Sequence, residues 1–352
     1  MKVIKNLNNM KTNRNLKGCL LTMCLGLVGL TTFAQNNTTT KENISECDGS
    51  ECVGKLDRCT TIDKGIESKC RSMLEKGMAA VNGVDGQVAV IDAKTGRLKA
   101  WVALEKGNGG FTDAKLLKKA YSPRIMTMVG VVPLLTDIGS KLEDSIDICS
   151  GVYNSESGLK IRDHNWRSGG YEKMTMREAL MKKSNVAMYK IMLATMGEER
   201  ASNCWKKMMG NTKATNAMEM AALFGGIFNG TDFLLPTLIG DSVEVEFSGD
   251  INYLGHQYMK EIFVGLNKKD GVQAEYAPEG IELAGIYGNY TGELYDNGET
   301  NDAEMAFVGA FPAKDPIYSV CVFIHRPNEP VHLPKDLAKN MVNEFVVWLS
   351  KY

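Results

Sequence analysis

Strand-forming sequence stands near the two ends of this chain with a largely helical stretch between, and that separation limits the folds open to it. At 87–92 the run Gln-Val-Ala-Val-Ile-Asp leads through Ala-Lys-Thr-Gly at 93–96 into Arg-Leu-Lys-Ala-Trp-Val-Ala-Leu at 97–104. Two β-rich runs joined by a short Gly-containing turn predict a hairpin. Strand character returns after Pro236: residues 242–247 alternate as Ser-Val-Glu-Val-Glu-Phe, and 282–290, 303–312 and 317–325 read as further strands. The last two are joined by a turn through Ala-Lys-Asp-Pro at 313–316. Between them the spacing predicts helices over 124–137, interrupted by Pro133, over 175–195, with Met176, Ala179, Leu180, Val186, Ala187, Tyr189, Ile191 and Met192 apolar, and over 216–229. An amphipathic helix carrying Leu337, Met341, Phe345, Trp348 and Leu349 ends the chain. A sheet that takes strands from both ends must be antiparallel or mixed, with the helical block emerging from one side. The expected class is therefore α+β, not a doubly wound parallel fold, and no repeat of 20–50 residues is visible.

The N-terminus predicts export. Lys2, Lys5, Lys11, Arg14 and Lys17 precede any acidic residue, an apolar run follows over 19–30, and Thr-Thr-Phe-Ala at 31–34 ends in small residues suited to cleavage before Gln35. That run is too short to span a bilayer comfortably, so no integral span is expected after cleavage. The body is expected outside the cytoplasm, in the periplasm or associated with the cell envelope. The 352 residues hold 41 Lys+Arg against 42 Asp+Glu and are 44% apolar, which excludes disordered and collagen-like chains. Removing 1–34 removes five basic residues and no acidic one, moving the net charge from −1 to −6. An acidic body gives no reason to expect nucleic acid as a partner. The expected organisation is a signal peptide at 1–34, a flexible Cys-rich leader with a short helix at 35–82, and one domain over 83–352.

Seven of the nine cysteines follow the signal, and Cys47, Cys52, Cys59 and Cys70 crowd into one polar stretch. In an exported chain these four predict two disulfides, with three connectivities open. Cys149, Cys204 and Cys321 lie in or beside apolar segments and read as thiols. His164, His256, His325 and His332 show no metal-ligand spacing, so no metal and no cofactor is expected. The 20 methionines read as filler of the helical core.

Five collinear segments over about 83–350 resemble the transpeptidase domain of penicillin-binding proteins. They are Val-Ile-Asp-Ala-Lys-Thr-Gly-Arg-Leu-Lys-Ala-Trp at 90–101, residues 174–188, residues 217–230 followed by Pro236, residues 282–289, and residues 304–312. The resemblance implies a β-lactamase-like antiparallel sheet with a helical subdomain and a C-terminal packing helix. It implies acyl transfer by a Ser at a helix N-terminus with a Lys one turn on, so that the amine takes the hydroxyl proton. In that alignment Ile125 stands at the nucleophile and Met128 at the lysine. Neither carries a nucleophilic or basic atom. The nearest hydroxyls, Ser122 and Thr127, are displaced in sequence or around the helix. The second motif, S-x-N, reads Lys183-Ser184-Asn185, which replaces the relaying hydroxyl by an ammonium and keeps the Asn. Beside Lys182, Lys183 reads as part of a solvated basic pair, and Ser184 and Asn185 suit either helix capping or ligand contact. The third motif, K-T-G, reads Ile286-Tyr287-Gly288, which retains backbone pairing and loses carboxylate recognition. A shifted match at Tyr290-Thr291-Gly292 still lacks the Lys.

Two literal matches read as decoys: Lys94-Thr95-Gly96 lies in the hairpin turn, and Ser157-Gly158-Leu159-Lys160 in a Ser/Gly-rich loop. The expectation is a pseudo-transpeptidase with no catalytic residue. Its ligand contacts would come from Asn185, Ile286, Tyr287 and Gly288 in an apolar pocket lined by Ile125, Met128, Ile286 and Tyr287, and its partner would be a peptidoglycan stem peptide or an envelope protein. Two alternatives stand beside it: an active D,D-transpeptidase or carboxypeptidase with a non-standard nucleophile, and a structural accessory subunit of a cell-wall complex.

Overall fold

The computed structural model describes residues 61–114, 123–209, 216–230, 233–234, 236, 245–246, 251–269, 271–290, 303–326 and 335–352. The segments expected as signal peptide and as leader to residue 60, with Cys47, Cys52 and Cys59, and also Ser122, Thr291, Gly292 and His332, lie outside the described residues.

Six antiparallel strands form the main sheet in the order β10-β11-β12-β1-β2-β3. They are β1 (Asp85–Asp92), β2 (Leu98–Gly107), β3 (Gly110–Asp113), β10 (Ala284–Tyr290), β11 (Ala303–Phe311) and β12 (Tyr318–Arg326). The expected hairpin is β1–β2, and β1 also pairs with β12 from Asp85↔His325 to Asp92↔Tyr318. Strands from the two ends of the chain thus meet in the middle of the sheet. Side chains alternate between faces along a strand, and here both faces are covered. Ala89 and Ile91 enter one core, Val88 and Val90 the other. That two-sided burial is why β1 is buried from Asp85 through Ile91.

One layer consists of α1 (Lys64–Ala80) and α9 (Lys335–Leu349). Helix α1 starts at Asp63, whose carboxylate accepts from Ile66 N, and it buries Ile66, Cys70, Met73, Leu74 and Met78 with Phe345, Val346 and Leu349 of α9. This corrects two expectations. The helix expected within a flexible leader is a packed layer of the sheet, because its apolar face has period 3.6 and meets β1 and β2. Cys70, expected in a disulfide framework, is a fully buried thiol on that face, and burial pushes its pKa above the ordinary thiol range.

The opposite layer is the helical block. It comprises α2 (Pro123–Val131), α3 (Leu134–Asp137), α4 (Met176–Met181), α5 (Asn185–Met196), α6 (Glu198–Met209), α7 (Ala217–Asn229) and α8 (Tyr253–Gly265). Pro133 divides α2 from α3 as expected. The helix expected over 175–195 is two helices, α4 and α5, broken at 182–184. Small antiparallel pairs interrupt the block: β4 (Ser145–Asp147) with β7 (Lys173–Thr175), β5 (Val152–Asn154) with β6 (Lys160–Arg162), and β8 (Phe233–Leu234) with β9 (Val245–Glu246). Helix α7, capped reciprocally by Asn216 and Glu219, lies across β1 and β12 and is buried over nearly its whole length. Ser319 of β12 ties it down by donating to Ala221 O at 2.7 Å.

Phe224 of α7 is fully buried, with its ring centroid 5.0 Å from that of Phe263 and 6.2 Å from that of Phe228. Phe224→Ala should lower the unfolding free energy by about 3–5 kcal/mol, the usual cost of removing a buried ring from a close-packed core. Urea unfolding followed by tryptophan fluorescence measures it.

Candidate functional site

Helix α2 opens at Pro123, a residue preorganised for the first turn. Its position 125, the expected nucleophile site, is held by Ile125, and its position 128, the expected lysine site, by Met128; both have zero exposure. Thr127 between them is buried at 1% exposure. Helix α2 packs against β10, α5 and α6, and an apolar residue at each of these positions completes that packing.

The break between α4 and α5 is a helix stop followed at once by a helix start. Lys183 N donates to Leu180 O and Ser184 N to Ala179 O, the paired bonds of a Schellman stop. Lys183 occupies the left-handed position of that stop at φ 55°, where glycine is the favoured residue. A side chain there costs on the order of 1 kcal/mol. The next residue, Ser184, is the N-cap of α5: it accepts from Ala187 N at 3.0 Å and donates to Asp163 Oδ2 at 2.8 Å. Asp163 is 2% exposed and its other oxygen accepts from Val186 N at 3.0 Å. A carboxylate at that helix N-terminus is favoured by the helix dipole. Asn185 Nδ2 donates to Arg162 O at 2.7 Å. Capping and loop anchoring are thus what Ser184 and Asn185 do in this structure.

Arg124 locks the same turn, its guanidinium donating to Lys183 O at 3.0 Å. Burial holds the Arg124 pKa below the ordinary arginine value, and the charge of Asp163 opposes that shift only in part. His164 and Tyr171 lie alongside, with Tyr171 Oη and His164 Nε2 3.0 Å apart. Partial burial and then the Arg124 charge hold the His164 pKa below the ordinary histidine value.

Lys182 and Lys183 are not the expected solvated pair. The Lys182 ammonium sits 4.8 Å from the Tyr171 ring centroid. The Lys183 ammonium points the other way, donating to Gln273 Oε1 at 2.9 Å and to Tyr287 O at 3.1 Å. The left-handed turn produces this divergence, because it redirects the side chain at 183 toward the sheet.

Among the described residues, strand β10 is the edge of the main sheet, hydrogen bonded to a neighbouring strand, β11, on one side only. An edge normally leaves backbone groups open for pairing. Here residues of the same chain take them. Gln273 Oε1 accepts from Tyr287 N at 3.2 Å, Lys183 donates to Tyr287 O, and Asn267 Nδ2 donates to Gly285 O at 2.8 Å. Gln273 has zero exposure and Asn267 8%. A Cβ on Gly285 would lie 2.8 Å from Val308 O, so only glycine allows this close approach to β11.

The four residues expected to line an apolar pocket do not share a lining. Ile125, Met128 and Ile286 are fully buried in the core on the helical side. Tyr287 faces the opposite core, 7% exposed, with its ring 4.7 Å from that of Phe307. Consecutive residues of a strand point to opposite faces, so 286 and 287 cannot line one cavity. Gly288 is buried and pairs with Ala306.

Both literal motif matches have other roles. In the hairpin turn, Asp92 Oδ1 accepts from Lys94 N and Thr95 N, Lys94 pairs with Asp315 at 2.9 Å, and Gly96 takes φ 73°. Ser157 Oγ lies 2.8 Å from Ser155 Oγ and 2.5 Å from Ser202 Oγ, in a hydroxyl chain that ends on Tyr189 and the Glu198 carboxylate. Lys160 of β6 is exposed. Among the described residues no group of three or more His, Cys, Asp or Glu side chains could hold a metal ion, and none of the helices is long and apolar enough to cross a membrane.

Asn267 and Gln273 carried no sequence signal, since each acts through a backbone partner distant in the chain. Arg124 had one: a charge beside apolar positions near a helix start, which demands a buried acceptor. The Asp163-His164 pair reads in sequence as an isolated pair in a loop, whereas Asp163 anchors α5.

Residues 86–221 match the family model of the penicillin binding protein transpeptidase domain. Solved structures agree on the fold. The apo transpeptidase domain of Burkholderia pseudomallei penicillin-binding protein 3 is similar at TM-score 0.69 and 14% identity, over 83% of this chain and 96% of that one. A peptidoglycan glycosyltransferase from Burkholderia ambifaria is similar at TM-score 0.67 and 14% identity, over 83% and 98%. Penicillin binding protein 3 from Mycobacterium tuberculosis, complexed with aztreonam, gives TM-score 0.67 and 13% identity, over 83% and 79%. No curated protein matches the sequence.

Asp163→Ala should destabilise the fold by about 3 kcal/mol, because it removes the α5 anchor and leaves the Arg124 charge without its counterpart. Asp163→Asn, which keeps acceptor capacity for Val186 or Ser184, should cost less. Parallel urea unfolding curves check the order.

Proposed function

Because the chain carries the fold of penicillin-binding-protein transpeptidase domains, we propose that it is a non-catalytic form of that fold, exported to the cell envelope, which acts by binding and not by acyl transfer. The observation that carries this reading is the pair at positions 125 and 128. Acylation by this fold's chemistry needs an activated hydroxyl and a base one helical turn away. Ile125 and Met128 have no proton to give or take, and solvent does not reach them. The Lys183 amine does not replace the missing base, since it is committed to two carbonyl oxygens on the far side of the turn. Without an activated nucleophile and a general base, acyl transfer forgoes several powers of ten in rate.

The basic, then apolar, then small-residue order of 1–34 supports export, and the fold supports a place among peptidoglycan-related proteins. The partner on this reading is a peptidoglycan stem peptide or an envelope protein, met without covalent chemistry.

Intact-mass spectrometry after incubation with a β-lactam tests the proposal. The mass should stay that of the unmodified chain under conditions in which an active transpeptidase domain is fully acylated. A stoichiometric adduct mapped by peptide digestion to residues near 125, or to Ser157, would show a working nucleophile and end the reading.

A further inference from the structure

The outer edge of β10 is occupied by the chain itself, and one residue that occupies it, Lys183, stands in a backbone conformation that favours glycine. Lys183 stands at φ 55°, in the Schellman position suited to glycine, and is held there by Arg124 on its carbonyl and by the two bonds of the helix stop. A non-glycine residue persists at such a position when surrounding contacts fix it. Its ammonium contacts Gln273 Oε1 and Tyr287 O. Gln273, from the loop after α8, receives both the Lys183 ammonium and Tyr287 N. One acceptor and one donor of the β10 backbone at residue 287 are therefore satisfied by side chains in the way a neighbouring strand would satisfy them. Asn267 does the same for Gly285 O.

We propose that the Lys183 side chain is an internal occupant of the β10 edge: with Gln273 it takes the backbone pairing positions of Tyr287 and closes that edge against an extended peptide. The half-buried lysine is the removable part of this closure, because it reaches in from the α4–α5 turn, whereas Asn267 and Gln273 are buried beside the strand. The inference rests on the resemblance under which this strand pairs peptides by its edge, and it places any stem-peptide contact of the wild-type chain away from Tyr287. It does not depend on whether the chain can be acylated.

The test uses the full chain, isotopically labelled, with an N-acetylated tripeptide ending in D-Ala-D-Ala as the probe. Lys183→Gly is the informative variant, since glycine suits the left-handed turn and keeps the fold while deleting the occupant. Lys183→Met is its companion, retaining the aliphatic stem without the donors. The wild-type chain should show no probe-dependent shift at the Tyr287 amide. Lys183→Gly should bind the probe at least tenfold more tightly than wild type, with the largest shifts at Tyr287 and Gly285, and Lys183→Met should lie between them. Lys182→Ala, which alters a side chain over Tyr171 and leaves β10 untouched, should match wild type. Probe-dependent shifts at Tyr287 in the wild type would overturn the proposal. So would a folded Lys183→Gly that binds no more tightly, or equal gains from Lys182→Ala. Because binding is read without covalent modification, failure here is distinguishable from a β-lactam adduct, which would instead end the non-catalytic reading.

Discussion

The pairing of β1 with β12 is the constraint on which the rest of this molecule depends. It brings residues 85–92 against residues 318–325 and so joins strands made at opposite ends of the chain. With β2 and β3 continuing on one side of β1, the late strands β11 and β10 can only add beyond β12. Everything between the two strand groups must then leave the sheet and return to it, which places the helical block on one face and makes β10 an edge. The α1 and α9 layer closes the other face, and two hydrophobic cores result, separated by the sheet. Long-range pairing of this kind carries loop-closure entropy that only a large buried area offsets, and both faces of the central strands supply that area.

An edge strand so placed has a polar problem that the helical block resolves. The open groups of Gly285 and Tyr287 face α2 and the loop after α8, where unpaired backbone groups would be costly. Asn267, Gln273 and Lys183 supply the missing partners. The lysine arrives there because the α4–α5 junction is rigid: the capping box at Thr175 and Glu178 starts α4, the Schellman bonds stop it, and Ser184 with Asp163 starts α5. A turn fixed at both ends fixes the direction of the side chain between them.

Much of this architecture was legible in the sequence because it rests on periodicity. The hairpin, the late strands, the Pro133 break and the terminal helix each leave a pattern of their own, and the order of strand and helix segments gives the class. What could not be read was where the side chains go. Lys183 beside Lys182 looks solvated, and only the left-handed backbone, invisible in composition, sends one lysine to Tyr171 and the other to β10. Ile286 and Tyr287 look like neighbours in one pocket, yet the strand alternation that was used to find β10 already assigns them to opposite cores. Cys70 looks like a member of a disulfide cluster by spacing, but its place on the apolar face of α1 at Ile66, Met73 and Leu74 puts it in the core. The small pairs β4–β7 and β5–β6 are too short to show a period at all.

The residues at the positions aligned with the family motifs differ in what they do for stability, and that difference bears on the proposed function. Ile125 and Met128 fill buried space with apolar volume, where a hydroxyl or an ammonium would need polar partners. Apolar residues at such positions carry no cost of that kind. Lys183 runs against that trend. Its backbone conformation is unfavourable and glycine would relieve it, so local stability alone does not account for a lysine there. A lysine is favoured only if its ammonium matters, and one group it reaches, Tyr287 O, is one that a peptide strand would use. On that argument the β10 edge at residue 287 is satisfied from within the chain.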